Sequence, residues 1–149
     1  MSSEAAAQNP IEAAALAQRV VANMSEAAWR ARRIHLALHK DPVQAWATVS
    51  AQHLEQILVN LVHIAIQWEL PGGVILIDIE SQPEAVIIRL HGSAGEICPV
   101  NRRVKALVKK ANASLLVESA PGKGSCFTLK LPPAISDGVR HTCCGKVYE

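Results

Sequence analysis

Aromatic side chains are scarce in this sequence: one Phe and one Tyr in 149 residues. The core must therefore be aliphatic, built from Leu, Ile, Val and Ala, with Trp29, Trp46 and Trp68 beside them. Excess charge is also missing. Fifteen basic residues against thirteen acidic ones leave +2, too little to argue for a nucleic-acid or membrane partner. The opening MSSEAAAQNP has no basic stretch ahead of an apolar run, so it does not read as a signal peptide. No apolar run is long enough to span a bilayer, because Asn60, His63 and Gln67 interrupt the richest one. Cysteines number four (Cys98, Cys126, Cys143, Cys144), without the regular spacing of a secreted disulfide framework, which makes the cytoplasm the expected compartment. Cys143 and Cys144 are adjacent, with His141 near them. A vicinal pair lacks the spacing of zinc sites, and an exposed tail is the expectation there, with no metal.

What is present is a chain of one-domain length, half of it hydrophobic, enough for a substantial core. Residues 1–10 read as a flexible start. The run from Ile11 to Arg33 is Ala-rich, and Ile11, Ala14, Leu16, Val20, Val21, Met24 and Ala28 share one helical face. Ile34–Leu38 alternates as a short strand, Asp41-Pro42 breaks it, and Trp46–Val49 is a second short strand. Ser50 is placed to cap a helix over Ala51–Trp68, whose Leu54, Ile57, Leu58, Leu61, Val62, Ala65 and Ile66 form a wide apolar stripe. Pro71-Gly72-Gly73 then turns the chain. Val74–Glu80 and Glu84–Leu90 form a β-branched hairpin. His91–Arg102 is irregular, and Asn101 stands before a third helix over Arg102–Asn112. Leu115–Ser119 and Ser125–Leu131 form a last hairpin around Pro121-Gly122-Lys123-Gly124, and 133–149 reads as a tail. Helices that each carry one apolar stripe are best buried together on one face of a sheet. The expected fold is a two-layer α/β sandwich: three helices on a mixed, largely antiparallel sheet, occupying 11–132.

Three segments carry a family resemblance that runs from about Ala14 to Pro132. They are LEQILVNLVHIAIQW (Leu54–Trp68), the hairpin Val74–Leu90, and ALVKKANASLLVESAPGKGSCFTLKLP (Ala106–Pro132) with its G-K-G-S-x-F turn. In this order they resemble the ATP-binding domain of sensor histidine kinases, the GHKL or Bergerat fold. The resemblance implies a nucleotide pocket, and several of its groups are replaced here. The second Asn of the family's N box, a magnesium ligand, corresponds to Ile64, and an alkane cannot ligate a hard cation. Asn60 matches the first Asn. The Asp of the D-x-G-x-G box, which accepts from the adenine amine, corresponds to His91, the box's first Gly to Ser93, and its last to Gly95. Only Glu96–Arg102 follows before the third helix, too short for the usual lid over the phosphates. Ser125 matches the family's Ser or Thr beside adenine.

The resemblance thus implies a vestigial nucleotide or anion pocket at Asn60, His91, Gly95, Ser125, Arg102 and Arg103, with no catalytic residue and no metal ligand. No cofactor is expected, ATP with magnesium being the alternative. The basic set Arg102, Arg103, Lys105, Lys109 and Lys110 has three readings: an anion site, a solvated face, or a dock for an acidic protein. The functional expectation is a degenerate ATPase-like module of two-component or related bacterial signalling. It would contact a protein partner, a histidine kinase or response regulator, with a homodimer also open, rather than turn over ATP. The alternatives are a divergent ATP-binding histidine kinase domain and a phosphotransferase working through a surface histidine such as His35, His39 or His53. The initial Met and the tail point to a complete chain.

Overall fold

The computed structural model describes residues 10–38, 45–93, 100, 102–120 and 124–134. Its elements run β1 (Pro10–Glu12), α1 (Ala13–Arg32), β2 (His35–Leu38), β3 (Trp46–Thr48), α2 (Ala51–Trp68), β4 (Val74–Ser81), β5 (Val86–Gly92), α3 (Arg102–Lys110), β6 (Ser114–Ala120) and β7 (Gly124–Leu131). Five strands form one sheet in the order β2-β4-β5-β7-β6, and β1 pairs with β3 in a small second sheet. The β2–β4 pair is parallel and the other pairs of the large sheet are antiparallel. Three helices packed on a mixed, mostly antiparallel sheet is the architecture that the apolar stripes require.

The core lies between helices and sheet. From α2 it takes Leu54, Ile57, Leu58, Leu61, Val62, Ile64 and Ile66; from the strands Ile75, Ile77, Val86, Ile88, Leu90, Phe127, Leu129 and Leu131. In β4, β5 and β7 these residues fall at every second position, so alternation assigns one sheet face to the helices. Among the described residues no helix is long and apolar enough to cross a membrane.

Helix ends follow their local chemistry. Ser50 caps α2, its Oγ accepting from His53 N. Arg33 ends α1 in the left-handed region at φ 58°, with Arg33 N and Ile34 N returning to Trp29 O and Ala28 O. Asn112, at φ 55°, does the same after α3, two residues past the end of that helix. At the other end of α1 the expectation needs correction. The helix starts at Ala13 rather than Ile11, because Glu12 stays extended and its carboxylate accepts from Ala14 N, Ala15 N and Ala45 N. The preceding Pro10–Glu12 is thereby held as a strand against Trp46–Thr48. The second correction concerns β5. It runs through His91 and Gly92, placing both in the ladder opposite Cys126 and Ser125 instead of in an irregular segment.

Candidate functional site

The sequence-predicted site residues converge only in part. A cleft of about 430 Å³ opens where β5, β7 and β6 end side by side. His91 and Ser125 line it, with Gly92, Gly124 and Cys126 beside them and Glu118 and Ser119 at the far wall. Asn60 is not among these residues. Its Nδ2 donates to Gln56 O at 2.7 Å, one turn back on α2, which is a local helix contact. Arg102 and Arg103 are exposed on α3, away from the cleft lining. Gly95, Asn101, His39, Cys143 and Cys144 lie outside the described residues.

Strand alternation decides which groups face the helices. Leu90 is buried in the core, so Gly92 shares its face and His91 points to the opposite one. A Cβ built on Gly92 would lie 3.7 Å from Ser125 Oγ, confirming that Gly92 faces the same side as Ser125. The family's adenine-side Asp was aligned with His91 on sequence. In space, the helix-facing position at the end of β5 is the side chain that Gly92 lacks.

That vacant volume is filled by Glu69, a residue that no motif singled out. It is the first residue after α2 and only 2% exposed. Its Oε1 would sit 2.5 Å from a Gly92 Cβ, and its Oε2 lies against Gly73. Oε1 accepts from Ser93 N at 2.9 Å and Oε2 from the Ser93 hydroxyl. A buried carboxylate needs such donors, since desolvation without them costs several kcal/mol. The backbone of Glu69 is also fixed. Its N–H donates to Ala65 O, and its carbonyl accepts from Arg32 Nη2 at 2.6 Å, tying the end of α2 to the end of α1. The Pro71-Gly72-Gly73 turn then folds beneath it, with Gly72 at φ +83° and its N–H on Arg32 O. The only sequence signal for this role is a Glu directly after an apolar helix and just before a turn.

Gly124 closes the other side. At φ +87° it adopts a backbone that other residues rarely take, and a Cβ there would collide with the Gly92 carbonyl. On α2, Ile64 is 7% exposed and part of the core cluster. Its sec-butyl group supplies packing and no oxygen, so the residues present do not fit a magnesium ion there. Among the described residues no group of three or more His, Cys, Asp or Glu side chains is placed to hold a metal.

On the face away from the helices, Arg89 bridges Glu80 at 2.9 Å and Asp78 at 3.5 Å across the β4–β5 ladder. Hydrogen bonds from Gln82 and then Arg89 hold the Glu80 carboxyl below its ordinary range, and the Glu80 bond raises the Arg89 guanidinium. These groups brace the sheet outside the cleft lining.

Comparison with solved structures settles the architecture. The catalytic domain of the histidine kinase ThkA, in a nucleotide-free form, superposes with a TM-score of 0.70 at 17% identity, covering 84% of this chain and 97% of that one. The fold is that of a histidine kinase ATPase domain. Other structures with this fold agree. Full-length ShkA in complex with AMPPNP matches at TM-score 0.71 and 17% identity, over 89% of this chain and 32% of that one. The mycobacterial sensor histidine kinase MprB matches at 0.65 and 16%, over 85% and 97%. In sequence, the sensor histidine kinase RppB of Synechocystis is 31% identical over 121 residues, 64% of this chain. The chain spans about a quarter of RppB, 26% of its length. No protein-family model matches the chain. The histidine kinase ATPase fold therefore stands on its topology, and its chemistry on the residues described above.

Proposed function

We propose that this domain is a non-catalytic version of the histidine kinase ATPase fold, serving two-component signalling through protein contacts rather than ATP turnover. One observation carries the reading: the helix-facing end of β5, where Gly92 offers no side chain, is occupied by the buried carboxylate of Glu69. The domain itself fills the space beside Gly92, a residue of the cleft wall. Ile64, packed in the core in place of a ligand oxygen, supports the same reading. One structure with this fold is a complex of ThkA with the response regulator TrrA, which makes a regulator or kinase a reasonable partner class.

Thermal melting with and without Mg-ATP tests this. A ligand at a hundred times its Kd stabilises by about 2.7 kcal/mol, a shift of several degrees for a domain of this size. The expected result is no magnesium-dependent shift, and a shift of that size overturns the reading. Glu69 also favours a second reading, a divergent nucleotide-binding domain, because its carboxylate is an acceptor brought from α2 to the end of β5. Glu69→Ala separates the two. If Glu69 is an acceptor, wild type binds nucleotide and the variant does not. If Glu69 fills the corner, wild type is silent.

A further inference from the structure

The positive charge of this chain is concentrated in one helix. α3 spans nine residues and carries five cations (Arg102, Arg103, Lys105, Lys109, Lys110) and no acid, whereas the whole chain is only +2, so everything outside α3 sums to −3. At 100° per residue the five fall within an arc of about 160°, interrupted only by Ala106. All five are exposed, while Val104 and Val108 are buried and anchor the opposite side of the helix to the core. Among the described residues none of the five is in an ion pair, although Arg19 and Arg30 each have one and Arg89 has two.

At its start the arrangement works against the helix. Arg102 and Arg103 occupy the first turn, where the exposed N–H groups already carry partial positive charge and an acid would be favoured. Lys105 and Lys109 are four apart and Arg102 and Lys105 three apart, spacings at which like charges repel. Lys109 and Lys110 suit the last turn, where a cation is favoured, but folding gains nothing from Arg102 and Arg103 in the first, and a placement that breaks a local rule without a folding gain points to function. From these observations we infer that the exposed face of α3 docks an acidic surface of a partner protein, whose carboxylates relieve the repulsion on contact. A discrete acidic patch suits the dimensions, since the helix is only about 13 Å long and the net-negative remainder would oppose an extended polyanion. This inference names the partner chemistry for the proposed function and rests on that reading.

The test uses the full chain and a fluorescein-labelled helical peptide with Glu on one face, followed by anisotropy at low and high salt. Wild type should bind with strong salt dependence. Arg102→Glu with Arg103→Glu should weaken binding by about tenfold or more while raising Tm by about 2–4 °C, because the first-turn conflict is removed. No binding by wild type, an unchanged affinity in the variant, or a lowered Tm would each overturn the proposal. So would tighter binding to a DNA duplex or to phosphatidylserine vesicles than to the peptide, or salt-dependent self-association of the chain. A magnesium-dependent nucleotide shift without these failures would sink the non-catalytic reading and leave the docking face standing.

Discussion

Replacing Gly92 by alanine probes the contact between β5 and Glu69 directly. The added Cβ would stand 2.5 Å from Glu69 Oε1, where ordinary contact begins at 3.4 Å, so the carboxylate must retreat by roughly 1 Å. It has little freedom to do so, because Ser93 holds both oxygens and Gly73 backs them. Overpacking of this kind costs about 1–3 kcal/mol, offset by about 0.5–1 kcal/mol from replacing a strand glycine. The net loss should be about 1 kcal/mol, within a span of about 0–2.5 kcal/mol, a fall in Tm of about 2–4 °C per kcal/mol. Glu69→Ala alone should also destabilise, by about 1–3 kcal/mol, since Ser93 N loses its acceptor. The double variant decides the matter. With the carboxylate gone, the alanine Cβ at 92 keeps an ordinary contact of 3.7 Å to Ser125 Oγ and should be neutral or slightly stabilising. Urea melts of the four proteins then give a coupling energy of about 1–3 kcal/mol. Strict additivity would show that Glu69 does not fill the space beside Gly92, and the account of the cleft would fail with it.

Other consequences can be checked with the same melts. Gly124→Ala meets both a positive φ and the Gly92 carbonyl, and should cost more than 1 kcal/mol, well beyond the usual surface substitution. Ile64→Asn puts an amide into the core and should cost about 2–4 kcal/mol, yet produce no magnesium-dependent shift with ATP while Glu69 remains. The acid limb should respond to Glu80. Its folded-state pKa lies below the ordinary 4.5, so its contribution is present above that value and is lost as pH falls through the depressed one. In Glu80→Gln, stability measured across that range should lose less on acidification than wild type.

Much of the fold could be read from local pattern. Ser50 and the stripe on α2 set that helix to the residue, and the β-branched runs of the first hairpin and the Pro-Gly turn of the last marked both within a few positions. The strand β1 was invisible because its partner lies 34–38 residues away and its own three residues sit against an Ala-rich helical run. What turns Pro10–Glu12 into a strand is the triple use of the Glu12 carboxylate, which only the folded chain assembles. The site was less legible for a related reason. His91 and Gly92 are neighbours in sequence, but the register of β5 sends them to opposite faces, and no spacing rule fixed that register in advance. Glu69 reaches the same spot from 23 residues upstream of Gly92, so its role is a property of tertiary packing. Ser125 lines the cleft, where the register of the adjacent hairpin puts it.

The small sheet has a mechanical consequence. Trp46–Thr48 is flanked by Pro10–Glu12 on one side and by the end of the last hairpin on the other, where Thr48 N and Oγ1 donate to Pro132 O and Pro133 O and Ala134 N donates to Trp46 O. Residues 10 and 134 are thus clasped to the same short ribbon, about two strand spacings or ~10 Å apart. Whatever is joined to this domain at either side enters and leaves at one corner. A tug on both connections would unzip three short segments before it reached the main hydrophobic core, and a short linker from 134 to 10 should allow new ends to be cut elsewhere with the domain still folding.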